Sequence, residues 1–63
     1  MNKIKCIEVS YADGNVNYKY YNDILKLYGE LLTDDFIIVN SPMLTIGQYV
    51  IHYKNGEKEL KEE

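Results

Sequence analysis

The shortness of the chain is the strongest constraint on its fold. A chain of 63 residues has room for one hydrophobic core, and it buries only about 60% of the surface that its unfolded form exposes. Domains this small are usually stabilised further by disulfides, by a metal ion or by a partner subunit. The sequence therefore predicts a single domain over residues 1–63, with one of these three means of support.

The cysteine and histidine content excludes two of these three means of support, the internal disulfide and the metal ion. Cys6 is the only cysteine and His52 the only histidine, so neither an internal disulfide nor a four-ligand Cys/His zinc site can form within one chain. No nucleophile, base or carboxylate stands at motif spacing to either residue, and no glycine-rich phosphate-binding motif is present. We predict no catalytic residues, no metal and no cofactor. A partner subunit remains, and a homodimer is the simplest form of it. Efficient packing without any such support is the alternative.

Charge and hydropathy narrow the partner and the location. Ten acidic residues oppose seven lysines, with no arginine, which gives a net charge of −3. Arginine is the residue best suited to bidentate contacts with phosphate and guanine, so direct nucleic-acid binding is not expected. No apolar stretch approaches the ~20 residues that cross a bilayer, and the N-terminus leads into no signal peptide. The sequence predicts a cytoplasmic protein without membrane contact.

The first part of the chain predicts a β-hairpin. Asp13-Gly14 lies between two runs of alternating polar and apolar residues, and this dipeptide favours a type I′ turn because both central positions need positive φ. With these residues as the loop, Tyr18 and Tyr20 lie on the apolar side of the ribbon. Tyr21 lies on the other side, opposite Cys6.

A helix is predicted next, with Asn22 as its N-cap and Asp23 in its first turn, where the helix dipole favours a negative charge. Its apolar arc is wide, which favours packing on more than one surface. Gly29 indicates either close packing against a neighbour or a helix that ends or bends there. Residues 33–35 are interpreted as the exit loop.

Three further strands complete the predicted fold. Phe36–Val39 is continuously apolar, which is typical of a strand covered on both faces, and Met43–Tyr53 is read as one long strand with a bend at Gly47. Asn55-Gly56 predicts a second two-residue turn, which sets Ile51 opposite Leu60, followed by a short charged strand or tail over 57–63. The predicted class is a small α+β domain of order β-β-α-β-β-β, with antiparallel hairpins packed on one helix.

Tyrosine is the most unusual component of the composition, since seven occur in 63 residues. A domain of this size cannot bury them all, and tyrosine is enriched in binding interfaces because it offers a large contact area at low entropic cost. A tyrosine-rich core is the alternative. The candidate interaction surface comprises Tyr18, Tyr20, Tyr21, Tyr28, Phe36, Ile38, Tyr49 and Tyr53.

The Asp13-Gly14 turn, the helical Leu27-Tyr28-Gly29 segment and the following apolar strand resemble the small dimeric phage inhibitors of uracil-DNA glycosylase in element order, over roughly half of the chain. Those proteins are acidic DNA mimics, and no residue role is carried over from them. The abundance of Lys, Asn, Ile and Tyr is also typical of an AT-rich genome such as that of a phage. The sequence thus predicts a non-enzymatic interaction module, an inhibitor of a host enzyme or defence protein. A DNA mimic and a ligand-sequestering dimer are the alternatives.

Overall fold

The computed structural model of the protein describes residues 2–10 and 18–62, and for residues 18–21 the backbone alone. One α-helix and four strands make up this part of the chain, which confirms the α+β class. In chain order the elements are β1 Ile4–Val9, α1 Tyr18–Tyr28, β2 Leu32–Asn40, β3 Gln48–Tyr53 and β4 Lys58–Glu62. A 3₁₀ turn, Gly29–Leu31, joins α1 to β2.

The strands form one mixed sheet in the order β2-β1-β3-β4. β1 runs parallel to β2 and antiparallel to β3, and β3 runs antiparallel to β4. Parallel neighbours need a long crossover connection, which is usually helical, and α1 lies within the segment that makes this connection. The helix therefore covers one face of the sheet.

The core lies between α1 and that face. Its six buried side chains are almost completely removed from solvent and come from β1, β3 and the helix: Ile4, Ile7, Val9, Ile24, Tyr49 and Ile51. A bulge in β1 lies between Ile4 and Cys6. Because one extra residue shifts the two-residue alternation of a strand, the bulge brings both Ile4 and Ile7 to the helix side.

The predicted first hairpin is wrong in its second strand. Tyr18, Tyr20 and Tyr21 belong to α1, and β1 has β2 on one side and β3 on the other. A strand paired on both edges has no free edge for a hairpin partner. The predicted turn at Asp13-Gly14 lies outside the described residues.

The helix begins earlier than predicted, and it ends just before Gly29, in agreement with one of the two interpretations of that glycine. Asn22 and Asp23 lie inside α1 rather than at its start, and the α-helix ends at Tyr28. Gly29 is not closely packed against a neighbour, because nothing lies within 4 Å of the position where its Cβ would stand. Its role is therefore at the end of the helix. Residues 33–35 are part of β2 and not an exit loop.

β2 contains the predicted apolar strand Phe36–Val39, but it is an edge strand and not a central one. Its pairing with β1 is irregular, since Ile4 pairs with Leu32 and Cys6 with Ile37. Three additional residues of β2 are thus accommodated between these two pairs. Asp34 and Asp35 lie in this irregular part and are exposed.

Only the second part of the predicted strand Met43–Tyr53 is a strand, namely β3. Residues before Gln48 form turns, in which the Leu44 amide donates to the Ser41 carbonyl at 3.2 Å and the Gln48 amide to the Thr45 carbonyl at 3.0 Å. Gly47 has a φ of 93°, which fits the third position of a type II turn. These turns occupy residues 43–47, which were predicted as part of the strand from their composition.

The second predicted hairpin is present with a different register. Ile51 pairs with Glu59 and Val50 with Leu60, one residue away from the predicted pairing of Ile51 with Leu60. The loop holds three residues rather than two, because the Tyr53 amide donates to the Glu57 carbonyl at 2.8 Å and the Gly56 amide to the Tyr53 carbonyl at 3.0 Å. Gly56 has a φ of 93°, as in a three-residue loop that ends in a left-handed glycine.

Candidate functional site

The face of the sheet opposite α1 is its most distinctive surface, and we call it the open face. Strand pairing arranges its residues in two rows that cross all four strands. One row is Ile37, Cys6, His52 and Lys58, and the other is Val39, Glu8, Val50 and Leu60. The one α-helix of the described residues packs on the other side of the sheet, where its Ile24 is part of the buried core.

The open face carries four aliphatic side chains in contact with solvent, among polar ones. Ile37 at one edge is 55% exposed and Leu60 at the other is 59% exposed, while Val39 and Val50 are half-buried. Exposed apolar side chains that stand singly need no explanation. A set of four on one flat sheet face is more typical of a surface that another molecule covers.

Glu8 and His52 form a polar pair in the middle of this face. The Nε2 atom of His52 lies 2.7 Å from Oε2 of Glu8, and both side chains are about one-third exposed. The two residues stand diagonally on the neighbouring strands β1 and β3. The predicted pairing of Ile51 with Leu60 would place Glu59 opposite His52, but the cross-strand neighbour of His52 is Lys58.

Cys6 lies beside this pair, next to Ile37 on one side and His52 on the other, and not opposite Tyr21. Burial raises the pKa of the Cys6 thiol, the charge of Glu8 raises it further, and Lys5 lowers it. A nucleophilic cysteine needs a lowered pKa, because the thiolate is the reactive form. Cysteine, histidine and carboxylate therefore come together here without the electrostatics of an activated thiol.

The helix side of the sheet holds the tyrosines whose side chains are described. The Tyr28 and Tyr49 hydroxyls lie 3.0 Å apart and their rings meet edge to face, with centroids 6.1 Å apart. The Tyr53 hydroxyl donates to Oε1 of Glu59 at 2.7 Å, and this bond raises the pKa of Tyr53 to about 12. The same bond lowers the pKa of Glu59.

The predicted interaction residues are thus not gathered on one exposed surface. Tyr49 is buried at 4% exposure, and Tyr28, Ile38 and Tyr53 pack against the core. Phe36 is half-buried in β2. Tyr18, Tyr20 and Tyr21 lie in the first turn or so of α1, and their part in binding stays a prediction.

The sequence reasoning missed the residues of the open face. A usable signal was present, since Cys6 and Glu8 alternate with Ile7 and Val9, and Ile37 and Val39 alternate with Ile38. This alternation says that β1 and β2 each have a second face. The alternation does not show which face of each strand lies against the helix. That depends on the parallel pairing of β1 with β2.

A shallow groove on the helix side is the other notable concavity. It has a volume of about 310 Å³ and is lined by Asp23, Ile24, Lys26, Leu27 and Tyr49. Leu27 is 70% exposed at its border. The groove is open to solvent and has little polar lining, so it offers few groups that would fix the orientation of a small ligand.

Neither metal-binding geometry in the described residues nor similarity to known proteins indicates a function. Among the described residues, no three or more His, Cys, Asp or Glu side chains are grouped so that they would hold a metal ion. No helix in the described ranges is long and apolar enough to cross a membrane. No protein family matches the chain, and neither a curated protein nor a solved structure is significantly similar to it.

Proposed function

We propose that this protein is a non-enzymatic protein-binding module and that the open face of its sheet is the binding surface. The observation that supports this most directly is the exposure of Ile37 and Leu60, each more than half accessible, at the two edges of an otherwise half-buried apolar face. Covering such a face with another protein removes apolar surface from water, which is the main favourable term in association.

The polar residues of the face fit this role. Glu8 and His52 lie at hydrogen-bond distance, 2.7 Å, so a partner that covers them does not leave these two side chains without a hydrogen-bond partner. Lys58, by contrast, stands at the rim on β4 and is exposed. A charged rim is usual in a protein interface. A polar pair at the centre is less usual, and the hydrogen bond between Glu8 and His52 is what makes their burial there acceptable.

The DNA-mimic alternative receives less support from this surface. A mimic needs carboxylates spread over one face, whereas the two carboxylates of the open face are Glu8, which is paired with His52, and Glu62 at its end. Glu57 and Glu59 alternate with Lys58 and Leu60 along β4 and so lie toward the other side. An inhibitor of a host enzyme or defence protein would be one particular form of the proposed module.

Photo-crosslinking in the cells that produce the protein tests the proposal. A photoreactive phenylalanine replaces Lys58 at the rim of the open face, and the matched control replaces Lys26, an exposed lysine of α1 beside the helix-side groove. We expect covalent protein adducts with the probe at Lys58 and none with the probe at Lys26. Adducts at Lys26 alone would move the binding surface to the helix side, and adducts at neither position would contradict the module.

A further inference from the structure

We infer that Asn55 is a latent modification site, which the folded β3–β4 turn protects and which is converted to isoaspartate when that turn opens. The conversion concerns the covalent chemistry of one turn and goes beyond the proposed binding function. Asn55 and the glycine that follows it, Gly56, are both exposed at the tip of the turn. The backbone and water supply all the reactants.

The reaction uses the main chain as its nucleophile. The amide nitrogen of Gly56 gives up its proton and bonds to Cγ of Asn55, while the bond from Cγ to Nδ2 breaks and the side-chain nitrogen leaves as ammonia. Water then opens the resulting succinimide ring at either of its two carbonyl carbons. One opening gives aspartate. The other gives isoaspartate, in which the main chain runs through the former side-chain carbonyl.

The residue after Asn55 makes this asparagine the most reactive one by sequence. A side chain on the following residue crowds the attacking nitrogen, whereas glycine has no Cβ and rotates freely. Among the asparagines of the chain, Asn55 alone precedes a glycine. An unfolded chain is therefore expected to lose ammonia at this position before any other.

The folded turn engages both reacting groups in hydrogen bonds. The Gly56 amide donates to the Tyr53 carbonyl at 3.0 Å, and this bond must break before the nitrogen can lose its proton. Oδ1 of Asn55 accepts from the Glu57 amide at 3.0 Å, as in an Asx turn. The second bond limits rotation of the Asn55 side chain, so the carboxamide is not free to search for the geometry of ring closure.

These bonds set the size of the protection. A hydrogen bond of this kind favours the closed turn by a few-fold after its exchange with water is counted, so the two together predict a reaction about tenfold slower in the folded protein than in the unfolded chain. Loop tips open more often than cores do. The reaction is therefore slowed by the fold rather than abolished.

The isoaspartate product no longer fits the turn. It adds one carbon to the main chain of the loop over 54–56, whose ends are joined by the hydrogen bond from the Tyr53 amide to the Glu57 carbonyl at 2.8 Å. In the described sheet β4 pairs with β3 alone, so a longer loop loosens the pairing that holds β4. Aspartate keeps the length of the main chain, and its carboxylate can accept the same Glu57 N–H.

Mass spectrometry with peptide mapping tests the protection, after incubation in mildly alkaline buffer with and without enough urea to unfold the protein. We expect Asn55 to be modified about tenfold faster, or more, in the unfolded chain. A peptide of residues 52–58 in the same two solutions measures the effect of urea on the chemistry itself. Asn55→Gln is the matched control, because it keeps a side-chain amide but needs a larger ring, and position 55 should stay unmodified in both solutions.

Hydrogen exchange tests the consequence for β4. The isoaspartate form, purified after incubation of the unfolded chain and returned to native buffer, should exchange the amides of residues 58–62 severalfold faster than the wild type. Asn55→Asp should exchange them as the wild type does. Equal modification rates in the folded and unfolded protein, after correction with the peptide, would overturn the protection. An isoaspartate form with wild-type exchange in β4 would overturn its effect on the fold.

Discussion

The two faces of the sheet are built from the same strands and have opposite environments. On the helix side, Ile4, Ile7 and Ile51 have no accessible surface, whereas on the open face Ile37 and Leu60 are more than half accessible. Residue type does not make this difference, since isoleucine occurs on both sides. The difference follows from α1, the only α-helix of the described chain, which packs on one face, and from strand position, since Ile37 and Leu60 lie on the two outer strands.

This comparison shows where the stability of the domain comes from. The six buried residues lie on α1, β1 and β3, and neither β2 nor β4 contributes one. The outer strands are therefore held by backbone pairing and, in β2, by half-buried contacts such as those of Leu32 and Ile38. The open face extends over both outer strands. It contributes less to the stability of the folded chain than the helix side does, and it has accessible apolar surface that a partner could bury.

A matched pair of substitutions tests this contrast and has the largest expected effect. Ile7→Ala on the covered face should cost about 2–5 kcal/mol in the free energy of unfolding, because it leaves a cavity in a packed core. Ile37→Ala on the open face should cost less than about 1 kcal/mol in the monomer, because little of that side chain is buried. Urea unfolding followed by circular dichroism, at protein concentrations too low for association, measures both.

Equal costs for the two substitutions would contradict the comparison. If Ile37→Ala were as damaging as Ile7→Ala at low concentration, the open face would be covered within one chain. A cost of Ile37→Ala that appears only at high concentration would agree with cover by a second copy.

The features that the sequence predicted are those fixed by local chemistry. Asn55-Gly56 gave the turn between β3 and β4, because a left-handed residue is needed there and Gly56 adopts it. The alternation of Ile7 and Val9 with Cys6 and Glu8 gave the two faces of β1. These inferences depend on a few neighbouring residues.

The features that failed depend on distant parts of the chain. Tyr18–Tyr21 have high strand propensity, yet they begin a helix because both edges of β1 are taken by β2 and β3. The register of the second hairpin differs by one residue because the loop takes three residues and not two. A shift of one residue changes which side chains lie opposite each other, and no local pattern distinguished the two loops.

The β3–β4 turn provides the next test, because it positions β4, which carries Leu60 of the open face and pairs with β3 alone. Gly56→Val should destabilise the protein by about 1 kcal/mol or more, since a β-branched residue is strained at positive φ. Gly29→Ala is the control, because its φ is not in the left-handed range and nothing lies within 4 Å of the added Cβ. Its cost should be close to zero in the same urea titration, and a Gly56→Val protein as stable as the wild type would contradict the turn geometry.

The smallest expected effect lies at the border between the covered face and β4, where Tyr53 donates a hydrogen bond to Glu59 at 2.7 Å. This bond holds the pKa of Tyr53 at about 12 and the pKa of Glu59 below its ordinary value. The folded protein therefore binds the Tyr53 proton more tightly than the unfolded chain does, and binds the Glu59 proton less tightly. By linkage, the stabilisation is complete between the ordinary pKa values of glutamate and tyrosine, about 4.3 and about 10.

The stability difference between the wild type and Tyr53→Phe should then depend on pH in a defined way. It should be constant from about pH 6 to about pH 9, decrease as pH rises from about 10 toward 12, and decrease again as pH falls below about 4.3. Glu59→Gln keeps an oxygen acceptor without a titrating carboxylate, so the acidic decrease should be absent when Tyr53→Phe is compared within that background. The measurement is the urea midpoint over this pH series for the wild type, Tyr53→Phe, Glu59→Gln and the double variant. A difference that is independent of pH would mean that Tyr53 and Glu59 do not meet in solution, and that the covered face ends at β3.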